Sequence, residues 1–158
     1  MKRVIITGAS RGIGKALAQK FLKEGYGVIG TSIDGTLDYS HDNLEVVQLD
    51  LLDSQSILKS GSIICNIEQG IDILINNAGA LFDNGEGEIV VDKLRKTLEI
   101  NLIGPIDFTQ RMLGKMNNGG HIVNISSTAG SLGSIHHTNY PSYKISKAGL
   151  NMFTTYLA

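Results

Sequence analysis

Thr7-Gly8-Ala9-Ser10-Arg11-Gly12-Ile13-Gly14 is a glycine-rich segment set between an apolar run and an amphipathic one. Lys2 to Thr7 leads into it as a short apolar run, a strand. Gly12 to Glu24 leads out of it with Ile13, Leu17 and Phe21 at helical spacing until Gly25 stops the helix. A glycine loop between strand and helix leaves backbone N–H groups bare at the positive end of the helix dipole, which suits a pyrophosphate. Taken alone, the loop is weak evidence, since a plain turn is the alternative.

Further along the chain, Tyr26 to Ser32 and Leu44 to Leu49 read as two further strands. Only Ile33 to Asn43 separates them, which is tight for a crossover helix, so a loop or single turn is expected. Asp53 can cap a helix to about Glu68, Gly70 breaks it, and Ile71 to Ile75 reads as a parallel strand buried on both faces. Leu94, Leu98, Leu102, Ile106, Leu113 and Met116 mark one long helical stretch that Asn117 to Gly120 end. His121 to Ile125 is the fifth strand, and Tyr143 to the last residue the last helix. This alternation predicts an α/β fold, a doubly wound parallel sheet with ligands at the carboxyl ends of its strands where the winding reverses. A length of 158 residues fits a single domain, 1–158.

Composition narrows the partners. With 14 Lys and Arg against 15 Asp and Glu, the net charge of −1 provides no field to gather nucleic acid or an anionic membrane, so a small molecule is the expected partner. No apolar run approaches the ~20 residues that span a bilayer. Met1, Lys2 and Arg3 run straight into the first strand and leave no room for a signal peptide, so a cytoplasmic location is expected. The lone Cys65 is expected to be a packed thiol on a helix face. Nineteen glycines in 158 residues exceed the usual ~7% and imply close backbone approaches.

The Gly8-x-x-x-Gly12-x-Gly14 spacing differs from the general dinucleotide fingerprint and resembles the short-chain dehydrogenase/reductase family. Asn76-Asn77-Ala78-Gly79 after the fourth strand, Asn101 in the long helix, Ser126-Ser127 after the fifth strand and Tyr143-x-x-x-Lys147 match the same family's motifs in order. Leu132-Gly133-Ser134-Ile135 and the run from Tyr143 to Met152 look most like its C-factor and sniffer carbonyl-reductase branch. The resemblance runs from Lys2 to the last residue. It implies a Rossmann-type fold, an NAD(P) cofactor and hydride transfer between nicotinamide and a carbonyl or alcohol. The family's later strands and substrate lid lie beyond Ala158, so the sheet is expected to be C-terminally incomplete, with an exposed edge. A chain ending there is expected to hold NADPH better than it turns over carbonyls.

Reducing a carbonyl takes a hydride on carbon and a proton on oxygen, so the site needs an acid beside the nicotinamide. A phenol is a sluggish acid–base group near neutrality until an ammonium close by favours its phenolate. Tyr143 and Lys147, four apart on one helix face, form that pair. The resemblance also gives Lys147 the nicotinamide ribose. Tyr140 and Lys144 repeat the spacing, but Pro141 between them places Tyr140 ahead of the regular helix. Ser127 leaves the fifth strand toward the reacting oxygen as a hydrogen-bond donor, and the resemblance prefers it to Ser126. The carbonyl of Asn101 faces Pro105, which has no N–H, and is expected to hold a water linked toward Lys147 as a route for protons. His136 and His137 are read as solvated loop residues.

The cofactor is expected on Gly8, Ser10, Arg11, Gly12, Ile13 and Gly14 for the pyrophosphate, on Asp50 and Leu51 for the adenine, and on Asn77, Ala78 and Gly79, with Tyr143 and Lys147. No metal is expected. Ser32 sits at the tip of the second strand, where a carboxylate would prefer the ribose hydroxyls of NAD and a base would accept the phosphate of NADP. With Arg11 in the loop, NADP is the expected cofactor, although Asp34 could restore NAD. Two rival readings are a nucleotide-sensing protein that has lost turnover and an interaction module that dimerises through its long helices. A homodimer or homotetramer is compatible with all three.

Overall fold

A computed structural model of the chain describes residues 1–85, 87–133 and 139–158. Val4, Ile5 and Ile6 are wholly buried, and their strand, β1 (Arg3–Ile6), lies at the centre of the sheet. A strand covered on both faces has no place for polar alternation, which is why these positions read as a continuous apolar run. Around it stand β2 (Gly27–Ser32), β3 (Leu44–Gln48), β4 (Ile71–Asn76) and β5 (Met116–Asn124), all parallel, in the order β3-β2-β1-β4-β5. The chain winds from β1 out to β3, then returns to start β4 on the other side of β1. The expected doubly wound α/β sheet is therefore present, and its winding reverses between β1 and β4.

The period of two along β1 divides the core. Ile5 faces one layer with Ile29, Leu74, Ile57, Ile64, Phe108 and Met112, beneath helices α2 (Ser54–Cys65) and α4 (Gly104–Leu113). Val4 and Ile6 face the other with Val28, Ile75, Ala18 and Leu22, beneath α1 (Gly12–Lys23). Asp53 caps α2 by accepting the N–H of Gln55 at 2.9 Å, as its position predicts. Residues 33–43 contain no helix, so the short second crossover is a loop. Among the described residues no helix is long and apolar enough to cross a membrane.

The long helical stretch is three segments in series: α3 (Val91–Leu98), a π-helical turn over Glu99–Ile103, and α4. Gly104 donates to the carbonyl of Glu99, five residues back. Pro105 brings no N–H to residue 101 and its ring crowds that carbonyl, so the helix widens just ahead of it. The expected end at Met116 is a correction. Helix α4 stops at Leu113, and Met116 belongs to β5, where it pairs with Ile71. Asn117 to Gly120, read as a helix stop, bulge out of β5 before His121 pairs with Ile73. Gly119 takes a φ of 77° there, and Asn117 Nδ2 donates to Asp72 Oδ1 at 3.0 Å. The thiol of Cys65 is also a correction, because it is exposed while neighbouring Ile64 fills the core. Helix α5 (Pro141–Leu157) packs on the β5 side. His136, His137, Ser134 and Ile135 lie outside the described residues.

Two substitutions separate local from core contributions. Asp53→Ala removes one exposed cap and should lower the unfolding free energy by about 1 kcal/mol. Phe108→Ala, at a wholly buried ring, should lower it by about 3–5 kcal/mol. Urea titration followed by circular dichroism checks both, and equal losses would contradict this account of the core.

Candidate functional site

The glycine loop fills the gap between β1 and β4, and the side chains of Thr7, Asn77 and Tyr39 hold it there. Thr7 Oγ1 accepts the N–H groups of Asn77 and Ala78 at 3.0 and 3.1 Å, while Asn77 Nδ2 donates to the carbonyls of Thr7 and Gly8 at 2.9 and 3.1 Å. On the β2 side, Ala9 donates to the carbonyl of Thr31 at 2.7 Å, and the Tyr39 hydroxyl donates to the carbonyl of Ala9 at 2.9 Å. Gly14 lies behind this arrangement. A Cβ there would fall 2.1 Å from the Gly8 oxygen and 2.5 Å from Asn77 Nδ2, so the first turn of α1 comes this close only with glycine. Gly12 has a φ of 58° and an open Cβ position.

Arg11 caps α1 with no side-chain hydrogen bond, leaving the first-turn N–H groups without a side-chain acceptor. They open on a cleft of about 510 Å³. Gly8, Ser10, Arg11, Gly12 and Ile13 form its floor; Ser32, Asp50 and Leu51 its β2–β3 side; Asn77, Ala78 and Gly79 its β4 side. Eleven of the expected cofactor residues are thus in one place, and Gly14, Tyr143 and Lys147 are outside that lining. Bare N–H groups, a positive dipole end and a glycine floor fit a dinucleotide pyrophosphate. Ile33, Leu52, Ala80, Phe82 and Ile100 also line the cleft, and motif reading missed them. Thr7 and Tyr39 were missed as well; the one available signal was the place of Thr7 at the carboxyl end of β1.

The polar groups near the adenosine end are partly engaged already. Ser32 Oγ donates to Asp34 Oδ1 at 3.0 Å, and the same oxygen accepts the N–H of Thr36 at 3.0 Å. The backbone N–H of Thr36 is the main cause that holds the exposed Asp34 carboxyl below the usual aspartate range, with Ser32 adding to it. A carboxylate therefore stands beside Ser32. Asp50 Oδ1 accepts the N–H of Leu52 at 2.9 Å in an Asx turn.

The other half of the site is on α5. Tyr140 precedes the helix in the left-handed region, φ 51° and ψ 55°, and Pro141 occupies the first turn. Tyr143 and Lys147 are both within the helix. Lys147 is 4% exposed, its Nζ donates to the carbonyl of Ile125 at 2.7 Å, and it stands 5.5 Å from the centre of the Tyr143 ring. Lys144 makes a similar approach to the Tyr140 ring at 5.3 Å. A Cβ at Gly79 would lie 3.8 Å from Lys147 Nζ, so the motif after β4 and the lysine of α5 meet. Ser127 Oγ accepts the N–H of Ala129 at 3.1 Å, capping the short turn Thr128–Gly130, with its own hydrogen unassigned to any described acceptor. Ser126 turns the other way and donates to Asn151 Oδ1 at 2.5 Å. Asn101 is buried with its amide fully engaged: Oδ1 accepts the N–H of Ala80 at 2.8 Å, and Nδ2 donates to Ala80 O at 2.9 Å and Ser146 Oγ at 3.1 Å. Among the described residues no cluster of His, Cys, Asp or Glu could hold a metal.

Comparison with known proteins agrees with this geometry. The family model described as short chain dehydrogenase matches residues 2–158. A 3-oxoacyl-(acyl-carrier-protein) reductase FabG of Aquifex aeolicus is 37% identical over 165 residues, covering 98% of this chain and 65% of its own length. The chain therefore spans about two thirds of the curated relatives it matches. Among solved structures, the Caenorhabditis elegans chain assigned as carbonyl reductase Sniffer superposes with a TM-score of 0.89 at 26% identity, covering 98% of this chain and 77% of that one. A Burkholderia multivorans chain assigned as a short-chain dehydrogenase/reductase, with bound NADP, gives 0.87 at 28%, covering 99% and 72%.

Burial gives Lys147 a pH signature. Desolvation lowers its pKa below the ordinary 10.5, so the unfolded chain keeps a proton that the folded chain has already released. Stability should therefore rise with pH between the folded value and 10.5. Lys147→Met should flatten that rise in urea titrations at stepped pH; an unchanged slope would contradict the burial.

Proposed function

This chain belongs to the short-chain dehydrogenase family, and we propose that it is the cofactor-binding and catalytic part of an NAD(P)-dependent oxidoreductase acting on a carbonyl or alcohol. The observation that carries the reading is the meeting of two halves: a glycine-floored cleft at the β1–β4 reversal, and a buried lysine over a tyrosine ring where the same β4 loop ends. A bound nicotinamide would supply the hydride. Tyr143 gives the proton to the carbonyl oxygen, or takes it from the alcohol in the reverse direction. Lys147, charged, stabilises the phenolate that is left and holds the nicotinamide ribose. Ser127 donates a hydrogen bond to the oxygen on which charge develops. Asn101 holds the route by which Lys147 and Tyr143 recover a proton from solvent.

The cofactor residues of this reading are Gly8, Ser10, Arg11, Gly12, Ile13 and Gly14 under the pyrophosphate, Asp50 and Leu51 by the adenine, Ser32 by the ribose, and Asn77, Ala78 and Gly79 along β4. Gly14 acts from behind, by letting α1 approach Gly8 and Asn77. NADP is the preferred form, with Arg11 offering the charge that its extra phosphate needs and Asp34 opposing it. A β-keto acyl compound is the first substrate class to test, with a β-keto ester as its simple stand-in, because a 3-oxoacyl group is in the name of the Aquifex relative. The setting is cytoplasmic, and self-association uses the α3–α4 run, where Val91, Ile103 and Leu113 are exposed. Light scattering reads the mass.

Tyr143→Phe should remove at least ~100-fold of turnover with ethyl acetoacetate while NADPH affinity stays within about twofold, because only a proton donor is deleted. Lys147→Ala should lose both. Retained turnover in Tyr143→Phe would move the proton elsewhere. NADPH should bind more tightly than NADH in fluorescence titrations, Arg11→Ala should erase the difference, and Asp34→Asn should widen it up to about tenfold. A preference for NADH in the unmutated protein would overturn the NADP assignment.

A further inference from the structure

Helix α5 begins without a cap of its own. Tyr140, at the cap position, offers no side-chain hydrogen bond, and Pro141 has no N–H to give. The first donor of the helix is Ser142, and its N–H goes to Asp83 Oδ2 at 2.6 Å, from a segment 59 residues earlier. Asp83 is wholly buried. Its other oxygen, Oδ1, has no hydrogen-bond partner among the described residues, and neither has the buried Oγ of Ser142.

A wholly buried carboxyl with an orphaned oxygen is a poor device for stability, since desolvation costs more than one hydrogen bond returns. Its location has a consequence for α5. Asp83 follows Phe82 and Ala80, which line the cleft. The same segment is gripped again at Ala80 by the Asn101 amide, which passes through Ser146 Oγ to the carbonyl of Tyr143 at 2.7 Å. The cleft wall is thereby fastened to α5 one residue before Tyr143 and three residues after it. Two attachments on either side of a residue fix both the start of its helix and the rotation of that helix about its axis.

We infer that Asp83 is a positioning residue: its carboxylate caps α5 from the cofactor wall and so sets the reach of the Tyr143 hydroxyl. The inference rests on the oxidoreductase reading above and adds to it a residue that touches neither substrate nor cofactor. Removing the cap should let the first turn of α5 fray while the glycine loop, anchored by Thr7 and Asn77, keeps its shape.

The test compares the unmutated protein with Asp83→Ala and Asp83→Asn, using ethyl acetoacetate and NADPH, with hydrogen exchange of the peptide 140–147 recorded without cofactor. Asp83→Ala should exchange that peptide faster, lose about tenfold in kcat, and keep NADPH affinity within about twofold. Asp83→Asn retains an acceptor oxygen for the Ser142 N–H and should recover to within about threefold of the unmutated kcat. Unchanged kcat in Asp83→Ala, loss of NADPH affinity in step with kcat, or an Asp83→Asn as impaired as a folded or unfolded Asp83→Ala would each overturn positioning. An unmutated protein that binds NADPH and turns over no carbonyl removes the oxidoreductase reading, and positioning with it. Faster exchange in Asp83→Ala would then stand as a cap alone.

Discussion

The clamp between Thr7 and Asn77 is the constraint on which the crevice depends. Parallel strands that diverge at a winding reversal leave their last backbone groups without neighbours, and a buried unpaired N–H is expensive. Thr7 Oγ1 takes two of those N–H groups from the β4 side, and Asn77 Nδ2 answers with two hydrogen bonds to the β1 side. The exchange closes the gap between strands without using the outward face of the loop. That face keeps its N–H groups for a ligand. Gly14 is required by the clamp itself, since any side chain would enter the space between the Gly8 carbonyl and the Asn77 amide.

A second set of close approaches sets α5 against the sheet. A Cβ on Gly130 would lie 2.6 Å from the Lys147 carbonyl carbon, and one on Gly149 2.7 Å from a methyl of Leu102 in the π-turn. Asn151 holds the turn after β5 through the carbonyl of Gly130 at 3.2 Å. The Lys147 backbone is thus packed against Gly130, and the Leu102 side chain closes on Gly149 one half-turn later, before the ammonium reaches Ile125. The desolvation this brings lowers its pKa, which makes its charge useful near a phenol and costly to hold. The π-turn serves the same end. Widening at Glu99–Ile103 accommodates Pro105 and brings Asn101 to the β4 loop and to Ser146.

The parts legible in the sequence are those with a local cause. Val4 to Ile6 and Ile71 to Ile75 read as buried parallel strands because both faces are covered, and the glycine loop reads as a phosphate site because its spacing has a chemical purpose. Tyr140 was separable from Tyr143 because Pro141 marks a helix start. Met116 was misread because an apolar residue at a helical interval looks the same whether it ends a helix or starts a buried strand. Cys65 was misread by one position of helical rotation, with Ile64 taking the inward place. The roles of Tyr39, Ser142, Ser146 and Asp83 were out of reach, since each depends on a partner far along the chain or on another element. Ser32 shows the same limit on a small scale: the sequence places it at the strand tip, but only the fold shows its hydroxyl turned to Asp34.

If the loop at the β1–β4 reversal and the pair on α5 form one dinucleotide site, crystals of the protein grown with NADPH will show it. Density is expected for the pyrophosphate on the backbone N–H groups of Gly12 and Ile13, and for the nicotinamide ribose within hydrogen-bonding distance of Lys147 Nζ. Density for the dinucleotide in any other cleft, or a nicotinamide end directed away from α5, would contradict it.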